Sequence, residues 1–228
     1  MSLWEGFLDA IENIFSNPLR AFLTMLGVII GVFSVVTLVS IGEGAKKYVT
    51  DQFAGLGTNV LIITPGASQT SGGPPMITNG TRPLTFEDSQ VVGRTCPAVE
   101  YVAPVVLATS SIKHENKLRD QSMVVGTTYE HQMVRNIYAE FGSFIPPSMS
   151  QGSKRVCAVG RNVIKDLFPT GVNPLGKYIR IGGSRFRVIG IMERKGYNLG
   201  FDIDGIVWIP LQAAMELFDQ DELFEMLV

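Results

Sequence analysis

The sequence predicts an α+β fold carried on a single apolar N-terminal helix. Three observations lead there: an uncharged run from Ala21 to Ile41, a capped helix and strand hairpin between Thr85 and Gly126, and a second strand-and-helix block from Arg155 to Pro210. Nineteen basic residues face 21 acidic ones for a formal net charge of −2, and no basic run interrupts that balance. A nucleic-acid partner is excluded on that ground. The two cysteines, Cys96 and Cys157, show no C-x-x-C spacing, which argues against a metal site. Two separate buried thiols are expected, with a disulfide the alternative in an oxidising compartment.

The run AFLTMLGVIIGVFSVVTLVSI, residues 21–41, contains no charge, and 13 of its 21 residues are Leu, Ile, Phe or Val. At 1.5 Å per residue it spans roughly 31 Å, the thickness of a bilayer's hydrocarbon core. A transmembrane helix over 19–41 is therefore expected. The stretch is too long for the apolar region of a signal peptide, and Glu5, Asp9 and Glu12 precede it where a signal peptide carries positive charge. Gly27, Gly31 and Ser34 place small residues on one face of this helix, a pattern that lets helix backbones pack closely. Ahead of it, residues 1–18 read as an amphipathic interfacial helix, broken by Asn17-Pro18. Behind it, residues 42–56 read as a helical stalk bearing Gly42, Lys46, Val49 and Phe53, and closed by Gly55 and Gly57.

Asn59–Thr64 reads as a short apolar strand and Pro65–Arg82 as a Gly/Ser/Thr/Pro-rich loop. Thr85 and Asp88 form a capping-box pattern that opens a helix through about Thr95. Strands are expected at Tyr101–Lys113 and Leu118–Gly126, joined by a turn over residues 114–117. Residues 129–150 are weakly patterned. Beyond them a helix at Arg161–Phe168 and strands at Tyr178–Ile181, Arg185–Glu193 and Gly205–Ile209 are expected, with Gly182-Gly183 as a hairpin turn. A last helix begins near Leu211, and Leu223–Val228 looks like the start of a further strand.

Catalytic patterns are missing. Gly171 to Lys177 fits most of a phosphate-binding loop, but Tyr178 stands where Ser or Thr must reach the magnesium, and Pro174 removes a backbone donor. Asp202-Ile203-Asp204-Gly205 lacks the further oxygen ligands of a calcium loop and reads as a solvated turn entering a strand. With two histidines, His114 and His131, there is no H-E-x-x-H, and no Gly-x-Ser-x-Gly elbow is present.

The run NPLRAFLTMLGVIIGVFSVVTLVSIGEGAKKYV resembles the first transmembrane helix and stalk of MacB-like ABC transporter permeases, within the wider FtsX-like group. VCAVGRNVIKDLFP and the stretch from NPLGKYIRIGG to DIDGIVWIPLQAA resemble the MacB-type periplasmic core domain, with structural turns at Gly160, Pro174, Gly176, Asp204 and Pro210. Phe141–Ile145 departs from the family's usual Gly-Arg-Phe-Phe. The resemblance implies two extracytoplasmic subdomains: a porter-like α+β part over 57–130, rejoined by 215–228, and an inserted β-rich, sabre-like part over 131–214. It also implies a bacterial inner-membrane permease, N-terminus cytoplasmic, that transmits ATP-driven motion in efflux. The chain would be neither an enzyme nor a cofactor carrier. Its partners would be an ABC ATPase subunit or domain, a second permease in a dimer, periplasmic or envelope proteins, and membrane lipid. Three further membrane helices and a cytoplasmic coupling segment are expected after Val228. A lipoprotein-release or cell-division permease, and a single-span sensor or adaptor, remain the alternatives.

Overall fold

Pro18 opens the long apolar helix, where its missing N–H is no loss and its fixed φ suits the first turn. The computed structural model describes residues 16–54, 60–65, 83–147, 155–198 and 201–228, so the amphipathic helix and most of the Pro65–Arg82 loop lie outside the described residues. Helix α1 (Pro18–Ala54) is 37 residues long and unbroken. The expected span and the described part of the expected stalk thus lie on one helix of about 55 Å, longer than a bilayer core is thick. Phe22, Phe33 and Leu38 are among its many exposed apolar side chains. Its hydroxyls turn back on the helix: Thr24 Oγ1 donates to the Arg20 and Ala21 carbonyls at 3.0 Å, and Ser34 Oγ to the Ile30 carbonyl at 2.7 Å. Such bonding is what an apolar solvent requires of a polar side chain.

The chain divides into two units, Met1–Asp51 and Gln52–Val228. The second is built on a nine-stranded mixed sheet. In chain order its elements are β1 (Ile62–Ile63), α2 (Phe86–Thr95), β2 (Ala103–His114), β3 (Lys117–Thr127), α3 (His131–Val134), β4 (Ala139–Gly142), β5 (Val156–Val159) and α4 (Arg161–Leu167). Then come β6 (Tyr178–Ile181), β7 (Ser184–Met192), a small hairpin of β8 (Tyr197–Asn198) and β9 (Phe201–Asp202), a 3-10 turn (Ile203–Gly205), β10 (Val207–Pro210), α5 (Leu211–Phe218) and β11 (Glu225–Leu227). The strand order is β1-β11-β2-β3-β10-β5-β7-β4, and β6 pairs with both β2 and β7. That double pairing closes β2, β3, β10, β5, β7 and β6 into a ring at one end of the sheet, while β11 and β4 extend it at the other. Strands from the 57–130 and 131–214 stretches thus share one sheet.

Local chemistry accounts for several of these elements. Thr85 Oγ1 accepts from the Asp88 N–H at 3.3 Å while the Thr85 N–H donates to Asp88 Oδ2 at 2.9 Å, so the capping box is complete. Gly182 (φ +52°) and Gly183 (φ +88°) make the tight turn between β6 and β7, both in the left-handed region. In the β2–β3 hairpin a bulge lies between Ser110 and Ile112, opposite Gln121 at φ +51°. The extra residue lies on β3, so β2 keeps its alternation and Val106 and Ile112, both even-numbered positions of that strand, enter the same core.

Strand alternation feeds two cores on opposite faces. Val124, Cys157, Val159, Val207 and Ile209 join the ring core with Val163 and Leu167 of α4 and Leu211 and Ala214 of α5. Val125, Ala158, Met192 and Trp208 join the other with Ile137, Phe144 and Ile145. The weakly patterned segment supplies those last three residues along with α3 and β4. It lacks period-2 or helical spacing because irregular chain covers this core. Strand β5 is likewise missing from the sequence expectations: Val156–Val159 is buried throughout, so it carries no alternation to read. Of the strand expected at Asn59–Thr64, where Asn59 lies outside the described residues, Ile62–Ile63 is extended and, among the described residues, pairs with β11.

Gly126 marks the tightest approach of helix to sheet, since a Cβ there would collide with the Ala214 Cβ. Gly126→Val should therefore destabilise the chain by about 1–3 kcal/mol or more by overpacking. Denaturant unfolding checks this, and an unchanged midpoint would show that α5 does not bear on β3.

Candidate functional site

A polar cluster of the Gln52–Val228 unit gathers where α4 begins and the 3-10 turn ends. Asp204 is 4% exposed; its Oδ1 accepts from the Lys195 N–H at 2.9 Å, and its Oδ2 lies 3.8 Å from Arg194 Nε. Gly160, the residue before α4, lies so close that a Cβ would strike the Asp204 carbonyl, and its N–H donates to the Ile206 carbonyl at 2.9 Å. Asn162 Nδ2 donates to both carboxylate oxygens of Asp202, at 2.9 and 3.1 Å. Arg119 of β3 then joins Asp166 of α4 at 2.7 Å and Asp202 at 3.5 Å. Every carboxylate here is met by a cation or an amide, which fastens β3, α4 and the segment before β10 together. Among the described residues no group of three or more His, Cys, Asp or Glu is arranged to hold a metal ion.

Gly160 and Asp204, singled out separately in the sequence, thus meet. The expectation of a solvated turn at Asp202–Gly205 is corrected: Asp204 is buried because it satisfies the Lys195 backbone donor. Arg119, Asn162 and Asp166 carry no sequence signal, since their relation to Asp202 exists only once the strands are paired.

The other turn residues lie elsewhere. Pro174 is buried, its carbonyl accepts from the Lys177 N–H at 3.1 Å, and Asn173 Oδ1 accepts from the Leu175 N–H at 3.0 Å. Gly176, at φ +79°, donates its N–H to the Val188 carbonyl at 2.8 Å and starts the pairing of β6 with β7. A strand therefore follows the phosphate-loop-like string, where a nucleotide cradle needs a helix N-terminus. Pro210 closes β10 opposite Thr127, and α5 begins at the next residue.

On α1, Gly27, Gly31 and Ser34 share a face, as do Gly42, Lys46 and Val49 one stretch further on. A Cβ added at Gly27, Gly31 or Gly42 would meet nothing within 4 Å. The Phe53 side chain lies outside the described residues.

The buried titratable groups are inert. Burial, helped by nearby Arg135, pushes His131 down to about 3, so it is neutral at ordinary pH. Its Nδ1 has no hydrogen-bond partner among the described residues, and its ring stacks on Phe144 at 6.2 Å between centroids. Burial pushes the Cys157 thiol far up, which removes it as a nucleophile. Cys96 is exposed, against the expectation of two buried thiols: it caps the end of α2, where only backbone is needed, and both cysteines are free.

A nine-stranded mixed sheet on a long apolar helix, with no catalytic cluster among the described residues, is a scaffold to be compared as a whole. The sequence profile of the MacB-like periplasmic core domain matches residues 21–228. The chain belongs to this family. Among relatives, the pyoverdine export ATP-binding/permease protein PvdT of Pseudomonas putida is 33% identical over 93% of this chain and 31% of its own length. The macrolide export ATP-binding/permease protein MacB of Rhodospirillum rubrum is 34% identical over 93% of this chain and 32% of its own. The chain thus spans about a third of these relatives. The fold matches the periplasmic region of MacB from Actinobacillus actinomycetemcomitans with a TM-score of 0.63 at 18% identity, covering 76% of this chain and 75% of that one. It also matches the extracellular domain of the transporter YknZ from Gram-positive bacteria, TM-score 0.58 at 16% identity, covering 75% and 82%. In this MacB-like family member the α+β class and the apolar N-terminal helix read from the sequence both hold.

Two predictions follow from the polar cluster and the buried histidine. Asp204→Ala strands the Lys195 N–H and should cost about 1–3 kcal/mol, whereas Asp204→Asn keeps an acceptor and should cost less; equal losses in unfolding experiments would contradict the assignment. For His131, the unfolded imidazole takes its proton below about 6.5 while the folded one does so only near 3. Stability should therefore fall as pH drops from about 6.5 toward 3, by up to about 1.4 kcal/mol per pH unit. Burial raises Glu225, which acts with the opposite sign, so the readout is the difference between the parent chain and His131→Gln. The variant should show the shallower loss, and parallel pH profiles would rule the effect out.

Proposed function

We propose that this chain is the leading part of an export permease of the ABC type, in which α1 crosses the cytoplasmic membrane and the Gln52–Val228 unit stands outside the cytoplasm. The supporting observation is that α1 runs from the uncharged span to Ala54 as one unbroken helix inside a MacB-like family member. A continuous hydrogen-bonded helix resists bending far better than two helices joined by a loop, so displacement at one end reaches the other. In this reading the polypeptide does no chemistry itself. ATP hydrolysis is supplied by a separate or fused nucleotide-binding domain, as the names of the curated relatives suggest, and the exported compound is set by surfaces beyond this stretch.

Residues on α1 take roles by their chemistry. Gly27, Gly31 and Ser34 offer an uncovered small-residue face to other membrane helices or to a second permease. Gly42, Lys46 and Val49 lie on the emerging part of the helix, with Phe53 near its end, and transmit motion to the outer unit. The turns at Gly160, Pro174, Gly176, Asp204 and Pro210 keep that unit stiff enough to act as a lever and to meet envelope proteins.

Two arms of one experiment test this. The gene that encodes the chain should continue past Val228 into three more apolar spans of about 20 residues. In the complete permease, reconstituted with its ATPase, a Gly-Gly-Ser insertion after Thr50 should abolish export while ATP hydrolysis persists. Export that survives the insertion would remove mechanical coupling through α1, and a reading frame ending at Val228 would remove the permease itself.

A further inference from the structure

Where β6 closes the ring, the outer face of the sheet carries cations at positions where strand pairing sets them side by side. Lys113 of β2 lies directly opposite Arg180 of β6, and Arg180 lies directly opposite Arg185 of β7. Residues directly opposite in an antiparallel pair share a face, and like charges placed so destabilise the sheet. Here the arrangement occurs twice in succession. Tyr178 and Arg187 form the next pair along the same face. Lys113, Lys177, Tyr178, Arg180 and Arg185, with His114 and Glu115, line a concavity of about 610 Å³.

The geometry holds these cations ready. The Arg185 guanidinium carbon lies over the Tyr178 ring, 4.4 Å from its centroid, a cation–π contact that restrains the cation at this face. The Tyr178 carbonyl is itself held 2.8 Å from His114 Nδ1, and the His114 ring lies 4.2 Å from Phe168 at the edge of the core. Among the described residues, Lys113, Lys177, Arg180 and Arg185 make no salt bridge; the single lining carboxylate, Glu115, sits 4.0 Å from His114 Nε2. A sheet that bears repeated like-charge pairs without neutralising them is complementary to a negative ligand.

We infer that this face binds an acidic, carboxylate-rich segment of a partner protein. Neighbouring strands lie about 4.8 Å apart, so Lys113, Arg180 and Arg185 spread their charges across roughly 10 Å. A small anion would engage one or two of them, whereas an extended run of Asp and Glu side chains matches the row. The site also sits beside two hairpin turns, Glu115-Asn116 and Gly182-Gly183, at a rim that a macromolecular surface can reach. The inference stands apart from the permease reading, because binding here requires neither transport nor an ATPase.

The test uses the whole chain in nanodiscs of zwitterionic lipid and a fluorescent decaglutamate peptide, followed by anisotropy. The peptide should bind, a decaglutamine peptide should not, and binding should weaken steeply between about 50 and 500 mM salt. Arg180→Gln with Arg185→Gln should lower affinity by about tenfold or more, while the melting temperature stays level or rises because the like-charge pairs are relieved. Undiminished binding by that double variant would overturn the proposal. So would competition by inorganic phosphate at concentrations matching the peptide's own glutamate content, which would identify a small-anion site. Capture of the chain by phosphatidylglycerol vesicles, lost in the double variant, with no binding of decaglutamate, would assign the face to lipid instead.

Discussion

The Gln52–Val228 unit depends on the parallel pairing of β10 with β3, in which Val207–Pro210 lie beside Val124–Thr127. Parallel neighbours cannot be joined by a tight turn, so the chain between them must leave the sheet, build the rest of the ring and return. Once β10 is in place, its residues serve both faces and an edge of the sheet. Val207 and Ile209 enter the ring core, Trp208 is fully buried in the opposite core, and the antiparallel edge of β10 receives β5. Gly126 then allows α5, which begins directly after Pro210, to fold back onto β3 with Ala214 at the contact. A four-residue strand thereby organises elements from both ends of the domain sequence.

Holding that strand requires the segment before it to be anchored, and anchoring is the work of the charged cluster. Burying a carboxylate is costly unless hydrogen bonds and opposite charge compensate it. Asp204 meets that condition with a backbone donor from Lys195, and Asp202 meets it with Asn162 and Arg119. Because Arg119 also reaches Asp166, the start of β10 is tied to β3 and α4 at once. The same groups that would suggest a cation site in isolation are therefore consumed by the fold's own donors. In that respect the cluster differs from the Lys113–Arg180–Arg185 row, whose charges no group among the described residues neutralises.

How much of this was legible in the sequence varied with the locality of the signal. The α2 helix was readable to its ends because Thr85 and Asp88 cap it through bonds three residues apart. The β6–β7 hairpin was readable because only glycine readily takes the backbone of Gly182 and Gly183. Both depend on neighbours in the chain. Strand β5 was not, since Val156–Val159 is covered on both faces and shows the same apolar run as any buried segment. Cys96 and Asp204 were misjudged for a related reason: exposure is decided by which distant element arrives, and residue type is a weak guide to that. The cationic row was invisible for the plainest reason. Lys113 and Arg185 are far apart in sequence, and they become neighbours only through the register that β6 imposes on β2 and β7.

The two units obey opposite rules for polar groups. In α1 the hydroxyls of Thr24 and Ser34 bond inward to their own helix and its apolar side chains face outward. In the Gln52–Val228 unit apolar side chains fill two enclosed cores, and charges such as those of Arg119 and Arg135 are paired. Helix α1 continues past its last long apolar run, through Gly42 and Gly44, to Ala54 without a break. Glycine weakens a helix interior by roughly 1 kcal/mol relative to alanine, so helix persisting through both positions must be sustained by the length of regular helix on either side. In a shorter helix a pair of glycines would be the natural place for a hinge.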